Sequence, residues 1–340
     1  MNAAAADENT LTATHAPTRG VFESNDLELT REFVNYAYGN DLRFRSFGED
    51  RFFKHVRDDF GSFAMEDVRL DMDADFDVDP LPVFVVIEIN SGWREHRWGD
   101  TVQRAGPGDL CANAPPHRAY CSRVHSPDFR SVVLSQSLLA RTGGFTEDQP
   151  GRALRFTGTQ PASPGLADQW RTTAAHVRDL LGAGSDALKE PLVTANLARH
   201  LAQSALNTFP NTGGPQLTSA DGADATPGAV RRGIAFMEEY AHTDIGLAEI
   251  ATAARVSTPA LQIAFARHHS TTPFGHLRAV RLDRAHFDLL ACKDDEETGA
   301  ARDPATVASV AARWGYASTA DFTASYRHAY GVSPDETLAA

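Results

Sequence analysis

The sequence predicts a two-domain protein, with an N-terminal antiparallel β-barrel that carries flanking helices and a C-terminal all-α domain. Residues 44–133 are rich in β-branched and aromatic residues and contain regular turn signals, which is typical of short antiparallel strands. From Gly165 onward, apolar residues recur at the three- and four-residue spacing of amphipathic helices. Residues 210–228 are rich in Pro, Gly, Ser and Thr and have no periodicity, so they are predicted to link the two domains.

Length and composition set the expected domain boundaries and the compartment. A chain of 340 residues is long enough for two cores. We expect a disordered tail over 1–19, a sensor and dimerisation domain with its following helices over 20–209, a linker over 210–228 and a helical domain over 229–340. No run approaches the roughly 18 apolar residues of a membrane span, and the tail lacks the features of a secretory signal. The prediction is a cytoplasmic protein without a membrane partner.

The N-terminal elements are predicted from local patterns. Residues 26–38 are expected to form a short helix with Phe33 and Val34 turned inward. The run VFVVIEI, residues 83–89, is typical of a buried strand. Turn signals at Gly92 and at 99–100, 106–109 and 115–116 follow at intervals of about seven to nine residues, which predicts short strands closed into a barrel or sandwich.

The cysteine content excludes a disulfide framework and fits a reducing compartment, because the chain has only three cysteines. Cys111 and Cys121 are equidistant from Pro116, so a hairpin turning there would place them opposite each other. A thiol sensor is one interpretation, and two buried strand cysteines are the favoured one.

The segments SGW (91–93), AGPGD (105–109) and PPH (115–117) are similar to the turn pattern of the cupin superfamily. Cupin enzymes gather two histidines and a glutamate from one strand motif, whereas the segment WREHRW (93–98) has a single histidine. A barrel without a metal or cofactor is therefore favoured over a metal site. The metal ligands available to the alternative are Glu88, Glu95, His96, His117 and His125.

A small barrel can instead hold one small ligand. Trp93, His96, Trp98 and His117 lie near predicted strand ends and are the candidate effector-binding residues. For each of them singly, a core tryptophan or a surface histidine is an equally good interpretation. Helices predicted over 166–181 and 190–206 would either cover the barrel or pair with a second subunit.

The C-terminal region contains two short helices joined by a tight turn, residues 247–267. Ile250 lies on the apolar face of the first helix, and Leu261 and Phe265 stand four residues apart on the second. Ser257 is placed as the N-cap of the second helix, and Pro259 near its start needs no backbone N–H partner. The pattern indicates a helix-turn-helix, whose second helix enters the major groove of DNA.

The same pattern recurs in residues 307–327, with one extra residue in the turn. This repeat favours a paired DNA-binding unit over two ordinary helical hairpins. A helix predicted over 273–292 would be about 30 Å long, close to the roughly 34 Å between successive major-groove segments. Residues 293–304, with the acidic run 294–297, are predicted as a loop. The matched residues are Ile250 with Val310, Ala251 with Ala311, Val256 with Tyr316, Ser257 with Ser318, Leu261 with Phe322 and Phe265 with Tyr326.

The net charge of −13 is unusual for a DNA-binding protein. From residue 228 onward there are 11 Lys and Arg against 14 Asp and Glu, and four of these acids form the run at 294–297. Phosphate contacts need a local basic face rather than a basic total, so we expect weak nonspecific affinity. The arginines within or beside predicted helices are Arg231, Arg232, Arg255, Arg267, Arg278, Arg281, Arg284, Arg313 and Arg327.

These features together resemble the AraC/XylS family of bacterial transcription regulators. The most telling segments lie at 261–262 (LQ), 281–285 (RLDRA), 310–316 (VAARWGY) and 330–334 (YGVSP). The upstream barrel is similar to the cupin-like sensor and dimerisation domain common in that family. The resemblance implies a homodimeric transcription activator that binds double-stranded promoter or operator DNA, responds to a small-molecule effector and contacts RNA polymerase.

The resemblance also implies which side chains contact DNA. Family members often have arginine where this chain has Ile263 and Ala324, and neither residue can make the bidentate contact to guanine. Gln262 can pair with adenine, so we expect an A·T-leaning or shape-dependent site. The implied DNA-binding residues are Thr258, Pro259, Gln262, Ile263 and Arg267 in the first unit, and Ser318, Thr319, Thr323, Ala324 and Arg327 in the second.

Three functions are therefore compared. The leading hypothesis is a sequence-specific transcription regulator, an activator controlled by an effector in the barrel, and not an enzyme. The alternatives are a cupin-type metal-dependent enzyme with an appended helical domain, and an interaction module that no longer binds DNA. No nucleophile, base and orienting group form a recognisable motif, so no catalytic residue is assigned.

Overall fold

The computed structural model of the protein describes residues 17–38, 43–114, 118–145, 153–183, 186–212, 219–269, 271–298 and 306–339. The chain divides into two compact units. The β unit comprises residues 1–140, 150–178 and 200–212, and the helical unit comprises residues 141–149, 179–199 and 213–340. Residues 179–199 are thus grouped with the helical unit, whereas the expected boundaries place them in the first domain.

The β unit contains one antiparallel sheet, with the strand order β1-β2-β3-β7-β4-β5 and with β6 paired to β4 in the described residues. The predicted architecture, an antiparallel β domain followed by a helical domain, is confirmed. Strand β1 begins at Thr18, inside the predicted tail, and residues 1–16 lie outside the described residues. The strands are β1 (Thr18–Ser24), β2 (Arg43–Asp59), β3 (Phe63–Val78), β4 (Val83–Trp98), β5 (Thr101–Ala105), β6 (Leu110–Ala112) and β7 (Tyr120–Ser135).

Strand β4 corrects the prediction of a turn at Gly92, because the strand continues through this residue. Its pairing with β7 shifts in register between Ile89 and Trp93, which marks a β-bulge. Gly92 has a φ of +71°, and a Cβ there would lie 2.3 Å from the carbonyl oxygen of Ser126. Glycine is therefore favoured here because the bulge requires a positive φ and brings the backbone of β7 close. The chain does not reverse at this position.

The substitution Gly92→Ala is expected to lower the free energy of unfolding of the β unit by about 1–3 kcal/mol, because alanine is strained at positive φ and its Cβ meets backbone. Thermal unfolding followed by circular dichroism measures the loss. Gly106→Ala is the matched control, since Gly106 has open space around its Cβ position. Equal stability of the two variants would contradict the assigned bulge.

Helices cover the outer face of the sheet. The ring of Phe84 on β4 stacks on Phe156 at 3.7 Å and meets Phe209 edge-on at 5.5 Å. Trp170 of α3 (Pro164–Gly182) packs against Phe209, and Arg171 donates to Glu88 at 2.8 Å. Of the two predicted roles for this helical region, covering the sheet is therefore observed.

Helix α1 (Leu27–Tyr38) packs at one end of the sheet, and it confirms the predicted helix with Phe33 and Val34 inside. The Asp26 carboxylate accepts from the backbone N–H of Glu28 at 2.8 Å, which begins the helix. The ring of Phe33 then stacks on Phe22 at 4.0 Å.

The predicted placement of Cys111 opposite Cys121 is wrong. Cys111 is buried on β6, which pairs with β4, whereas Cys121 is exposed on β7. The thiol of Cys121 donates to Asp77 at 3.0 Å. The two cysteines therefore lie on different sides of the β4 ladder and have different surroundings.

The helical unit follows the predicted order of helices with two differences. A short helix, α5, lies inside the predicted linker, and α9 continues through the acidic run to Thr298. The prediction of a loop is therefore wrong for residues 293–298. The helix can continue through them because the segment KDDEET contains no Gly or Pro before Gly299. The helices beyond α2 (Gln136–Gly143), α3 and α4 (Pro191–Thr208) are α5 (Ser219–Asp224), α6 (Pro227–Tyr240), α7 (Leu247–Ala254), α8 (Thr258–His268), α9 (Pro273–Thr298), α10 (Val307–Arg313), α11 (Thr319–Tyr330) and α12 (Pro334–Ala339).

Two hydrophobic cores lie along helix α9. Leu277 belongs to the first core, with Leu261 and Phe265 of α8. Leu282 and Leu289 belong to the second core, which also contains Phe322 and Tyr326 of α11. Each helix pair therefore has a core of its own on a shared helix. Within the described ranges, no helix is long and apolar enough to cross a membrane.

Candidate nucleic-acid interface and ligand cavity

Helices α7 and α8 form the first helix-turn-helix. Arg255 ends α7 in the left-handed conformation, with a φ of 58°. The hydroxyl of Ser257 accepts from the backbone N–H of Ala260 at 3.2 Å, which confirms Ser257 as the N-cap of α8. Leu261 and Phe265 are fully buried, so the opposite side of α8 is left to solvent.

Helices α10 and α11 form the second helix-turn-helix with the same local devices. Thr306 and Ser309 make reciprocal bonds at the start of α10, and Ser318 accepts from the backbone N–H of Asp321 at 3.3 Å at the start of α11. Gly315 has a φ of +85° in the turn, a conformation that glycine adopts without strain. Phe322 is fully buried, as Leu261 is in the first unit.

The residues implied in DNA contact differ in their exposure. Pro259 is buried, Ile263 packs against the first core, and the hydroxyl of Ser318 is used as a cap. These three side chains are therefore engaged by the fold in this structure. Thr258 and Thr323 are half-buried, and Thr258 donates to the carbonyl of Gly144 at 3.3 Å. The exposed members are Gln262, Arg267, Thr319, Ala324 and Arg327.

The arginines of the helical unit divide into structural and exposed groups. Arg232 donates to the carbonyl of Ala254 at the end of α7, and Arg313 pairs with Asp288. Three arginines at the two helix-turn-helix pairs are exposed, and one of them, Arg267, also donates to the Gly222 carbonyl at 3.0 Å. These exposed residues are Arg255, Arg267 and Arg327.

Arg281, in the RLDRA segment, is a buried structural group rather than a phosphate contact. Its guanidinium donates to the carbonyls of Ala241 and Thr243, both at 2.9 Å, and to the Asn196 side chain at 3.3 Å. Burial, together with the charge of Arg199, lowers the pKa of Arg281 to about 10, so the group stays protonated at neutral pH. Arg281 thus fixes the end of α6 relative to α9.

The β unit contains a cavity of about 150 Å³ that is partly open to solvent. Strands β2, β3, β4 and β7 and helix α1 contribute its walls. Most of the lining is aliphatic or aromatic. The polar side chains in the wall include Glu66, Arg94, His96, Asn113 and Tyr120.

The predicted effector-binding residues lie in different places. His96 lines the cavity, and Trp98 is buried beside Tyr120 in a neighbouring cluster. Trp93 is 40% exposed, and its ring lies 5.9 Å from that of His125. His117 lies outside the described residues. Sequence reasoning did not single out Arg94, Asn113 or Tyr120.

The described members of the alternative metal-ligand set, Glu88, Glu95, His96 and His125, do not converge. Glu95 and His96 are neighbours on β4, so their side chains point to opposite faces of the sheet. Glu95 accepts from Arg104 at 2.6 Å, and His125 contacts Asp73 at 2.6 Å. Among the residues that the structure describes, no group of three or more His, Cys, Asp or Glu is placed to hold a metal ion.

The two capped helix pairs joined by a long helix define a DNA-binding domain with two helix-turn-helix units. Residues 250–340 match the family model described as "Helix-turn-helix domain" (HTH_18). The C-terminal region therefore contains a helix-turn-helix domain, as the sequence pattern predicts.

Two curated relatives match part of the chain. The probable thc operon regulatory protein of Rhodococcus erythropolis is 34% identical over 116 residues, which is 34% of this chain and 32% of the relative. The regulatory protein HrpB of Ralstonia nicotianae is 30% identical over 103 residues, which is 30% of this chain and 20% of the relative. The chain therefore spans about a third or less of the length of these relatives.

Two solved structures also match the chain. The AraC-like transcriptional activator CuxR is 14% identical, with 78% of this chain and 95% of that chain covered and a TM-score of 0.42. A probable AraC family transcriptional regulator from Rhodopseudomonas palustris is 26% identical, with 33% of this chain and 94% of that chain covered and a TM-score of 0.29.

Proposed function

We propose that the protein is a sequence-specific transcription regulator, an activator, whose β unit binds a small effector and thereby changes DNA occupancy. The observation that carries the proposal is the pair of capped helix-turn-helix units with polar side chains exposed on both second helices. Gln262 and Arg267 are exposed on α8, and Thr319 and Arg327 are exposed on α11. The relatives named as regulatory proteins support this function.

The finer parts of the proposal come from the resemblance to the AraC/XylS family. A regulator of this kind works in the cytoplasm as a homodimer, binds promoter DNA and contacts RNA polymerase. An effector shifts the balance between two states only if it binds one of them more tightly. Gln262 favours adenine, and an exposed Ala324 can contact a thymine methyl group, so the proposed operator is A·T-leaning.

Gel-shift titrations with the DNA upstream of neighbouring genes test the DNA-binding surface. Gln262→Ala is expected to cost about 1–3 kcal/mol on the specific site and to leave nonspecific binding unchanged, because a side chain that contacts a base edge is lost. Arg267→Ala is expected to weaken binding to all sequences and to reduce the slope of log K against log salt by about 1.

The matched control is Arg97→Ala, which removes an exposed arginine from the β unit. If Gln262→Ala and Arg267→Ala both bind as tightly as the unchanged protein, α8 is not the helix that contacts bases. If binding is insensitive to salt, the protein is an interaction module rather than a DNA-binding regulator.

A further inference from the structure

The cavity of the β unit contains a buried arginine that lacks a carboxylate partner among the described residues. Arg94 is 4% exposed and lines the cavity. Its guanidinium donates to the Asn113 side-chain oxygen at 2.6 Å and to the Cys111 sulfur at 3.0 Å, and neither acceptor is a carboxylate. Among the described residues, no carboxylate lies within ion-pairing distance of Arg94. A buried charge is costly unless it is paired, so this guanidinium offers a site for an anion.

The polar groups beside Arg94 add a hydroxyl donor and no second positive charge. The Tyr120 hydroxyl accepts from the Asn113 amide at 2.6 Å, which leaves its own proton for a ligand. Burial raises the pKa of Tyr120 to about 12, so this proton is present at neutral pH. His96 donates from Nδ1 to the Asn113 carbonyl at 2.6 Å, and burial lowers the pKa of His96 well below its usual value, so the ring is neutral.

The carboxylate in the same cavity is already compensated. Glu66 accepts from Arg57 at 2.5 Å, from Ser131 at 2.6 Å and from His55 at 3.3 Å. The remaining charged group in the wall, Arg31, pairs with Glu28 at the surface. Arg94 is therefore the cation that the described lining leaves without a carboxylate partner.

The rest of the lining sets the size and character of a ligand. Val68, Leu70, Val85 and Phe129 supply apolar walls. An apolar cavity of about 150 Å³ accommodates a body about the size of a benzene ring. We propose that the cavity binds a small monocarboxylate with a compact apolar body, with its carboxylate held by Arg94 and Tyr120. This proposal names the ligand class for the effector role proposed above and depends on that role only for its regulatory meaning.

Calorimetric titration of the full chain tests the site without DNA. The probes are sodium hexanoate and sodium phenylacetate, compared with hexanamide and phenylacetamide, which have nearly the same shape but no charge. At least one acid is expected to bind about tenfold more tightly than its amide, because a charge-assisted bond to arginine is lost in the amide. Equal affinities for acid and amide, or no binding of either acid, would overturn the proposal.

Arg94→Met is expected to weaken acid binding at least about tenfold and to weaken amide binding less, because the amide carbonyl accepts only a weaker hydrogen bond from Arg94. The matched control is Arg97→Met, on the same strand but 62% exposed, which should bind the acid as the unchanged protein does. Without ligand, Arg94→Met should unfold at the same temperature as the unchanged protein or a higher one, because it removes an unpaired buried charge. A strong loss of stability with unchanged acid binding would show that Arg94 is only structural. If Arg94→Met does not fold, the comparison of acid and amide on the unchanged protein decides.

The ligand proposal and the regulator proposal fail in different ways. Acid binding by calorimetry with no DNA binding in the gel shift would leave the ligand site in place and overturn the regulator. DNA binding without acid binding would overturn the ligand site and leave the regulator proposal in place. If the acid binds and leaves DNA affinity unchanged, its role as an effector is overturned.

Discussion

Replacing Phe322 with alanine is expected to unfold the second helix-turn-helix while the first remains folded. Phe322 is fully buried in the second core, and the cavity left by such a truncation costs about 3–5 kcal/mol. The first core is built around other residues, Leu261 and Phe265 among them. Hydrogen exchange should therefore show loss of protection in α11 and retained protection in α8.

Phe287→Ala is the matched control for this change. Phe287 lies on α9 but is 62% exposed, so its truncation leaves both cores intact and should alter exchange little. Parallel loss of protection in α8 and α11 in the Phe322 variant would contradict two separate cores. It would show instead that α9 joins the two cores into one cooperative unit.

The substitution Glu66→Ala is expected to destabilise the β unit by about 3–5 kcal/mol. Glu66 is 1% exposed, and its removal leaves the hydrogen-bonding groups of Arg57, His55 and Ser131 without this acceptor. Thermal and urea unfolding measure the change. Asp71→Ala is the surface control, since Asp71 and its partner Arg69 are both well exposed and their pairing contributes little.

The Glu66 carboxyl group also predicts how the unfolding free energy changes at acid pH. Burial raises the pKa of Glu66, but the hydrogen bond from His55, the charge of Arg57 and the bond from Ser131 outweigh it and lower the pKa to about 2. A lowered pKa means that the stability contributed by Glu66 is complete above its ordinary value near 4.5 and is lost as the pH falls toward 2. Between these values, the unfolding free energy of the unchanged protein should fall more steeply than that of Glu66→Ala. Parallel curves would contradict the assigned ionisation.

The helical unit could be predicted in detail because its signals are local. A cap such as Ser257 or Ser318 and a buried pair such as Leu261 and Phe265 lie within one or two helical turns of each other. The exposure of the residues implied in DNA contact is harder to predict. Pro259 was assigned by its position in the motif, and its burial depends on contacts that no local spacing encodes.

The residues that line the cavity could not be predicted as well as the helical unit, because the bulge in β4 changes which side chains face the cavity. Before the bulge, Val85 and Ile87 line the cavity, whereas after it Arg94 and His96 do so. The inward positions thus change from odd to even numbers across the register shift. Strict alternation from Val85 would turn Trp93 inward and Arg94 outward, the reverse of what is found. No local pattern gives the register of the bulge, since it depends on pairing with β7, more than thirty residues away in sequence.

Because α9 is continuous, it couples the distance between the two helix-turn-helix cores to their relative rotation. A flexible connection would leave these two quantities independent. The helix contributes Leu277 to one core and Leu282 and Leu289 to the other. One residue inserted between these positions would advance the second core by about 1.5 Å and rotate it by about 100° around the helix axis. The number of residues in this segment therefore sets the angular phase of α8 relative to α11 and, under the proposed function, the face of the duplex that each one meets.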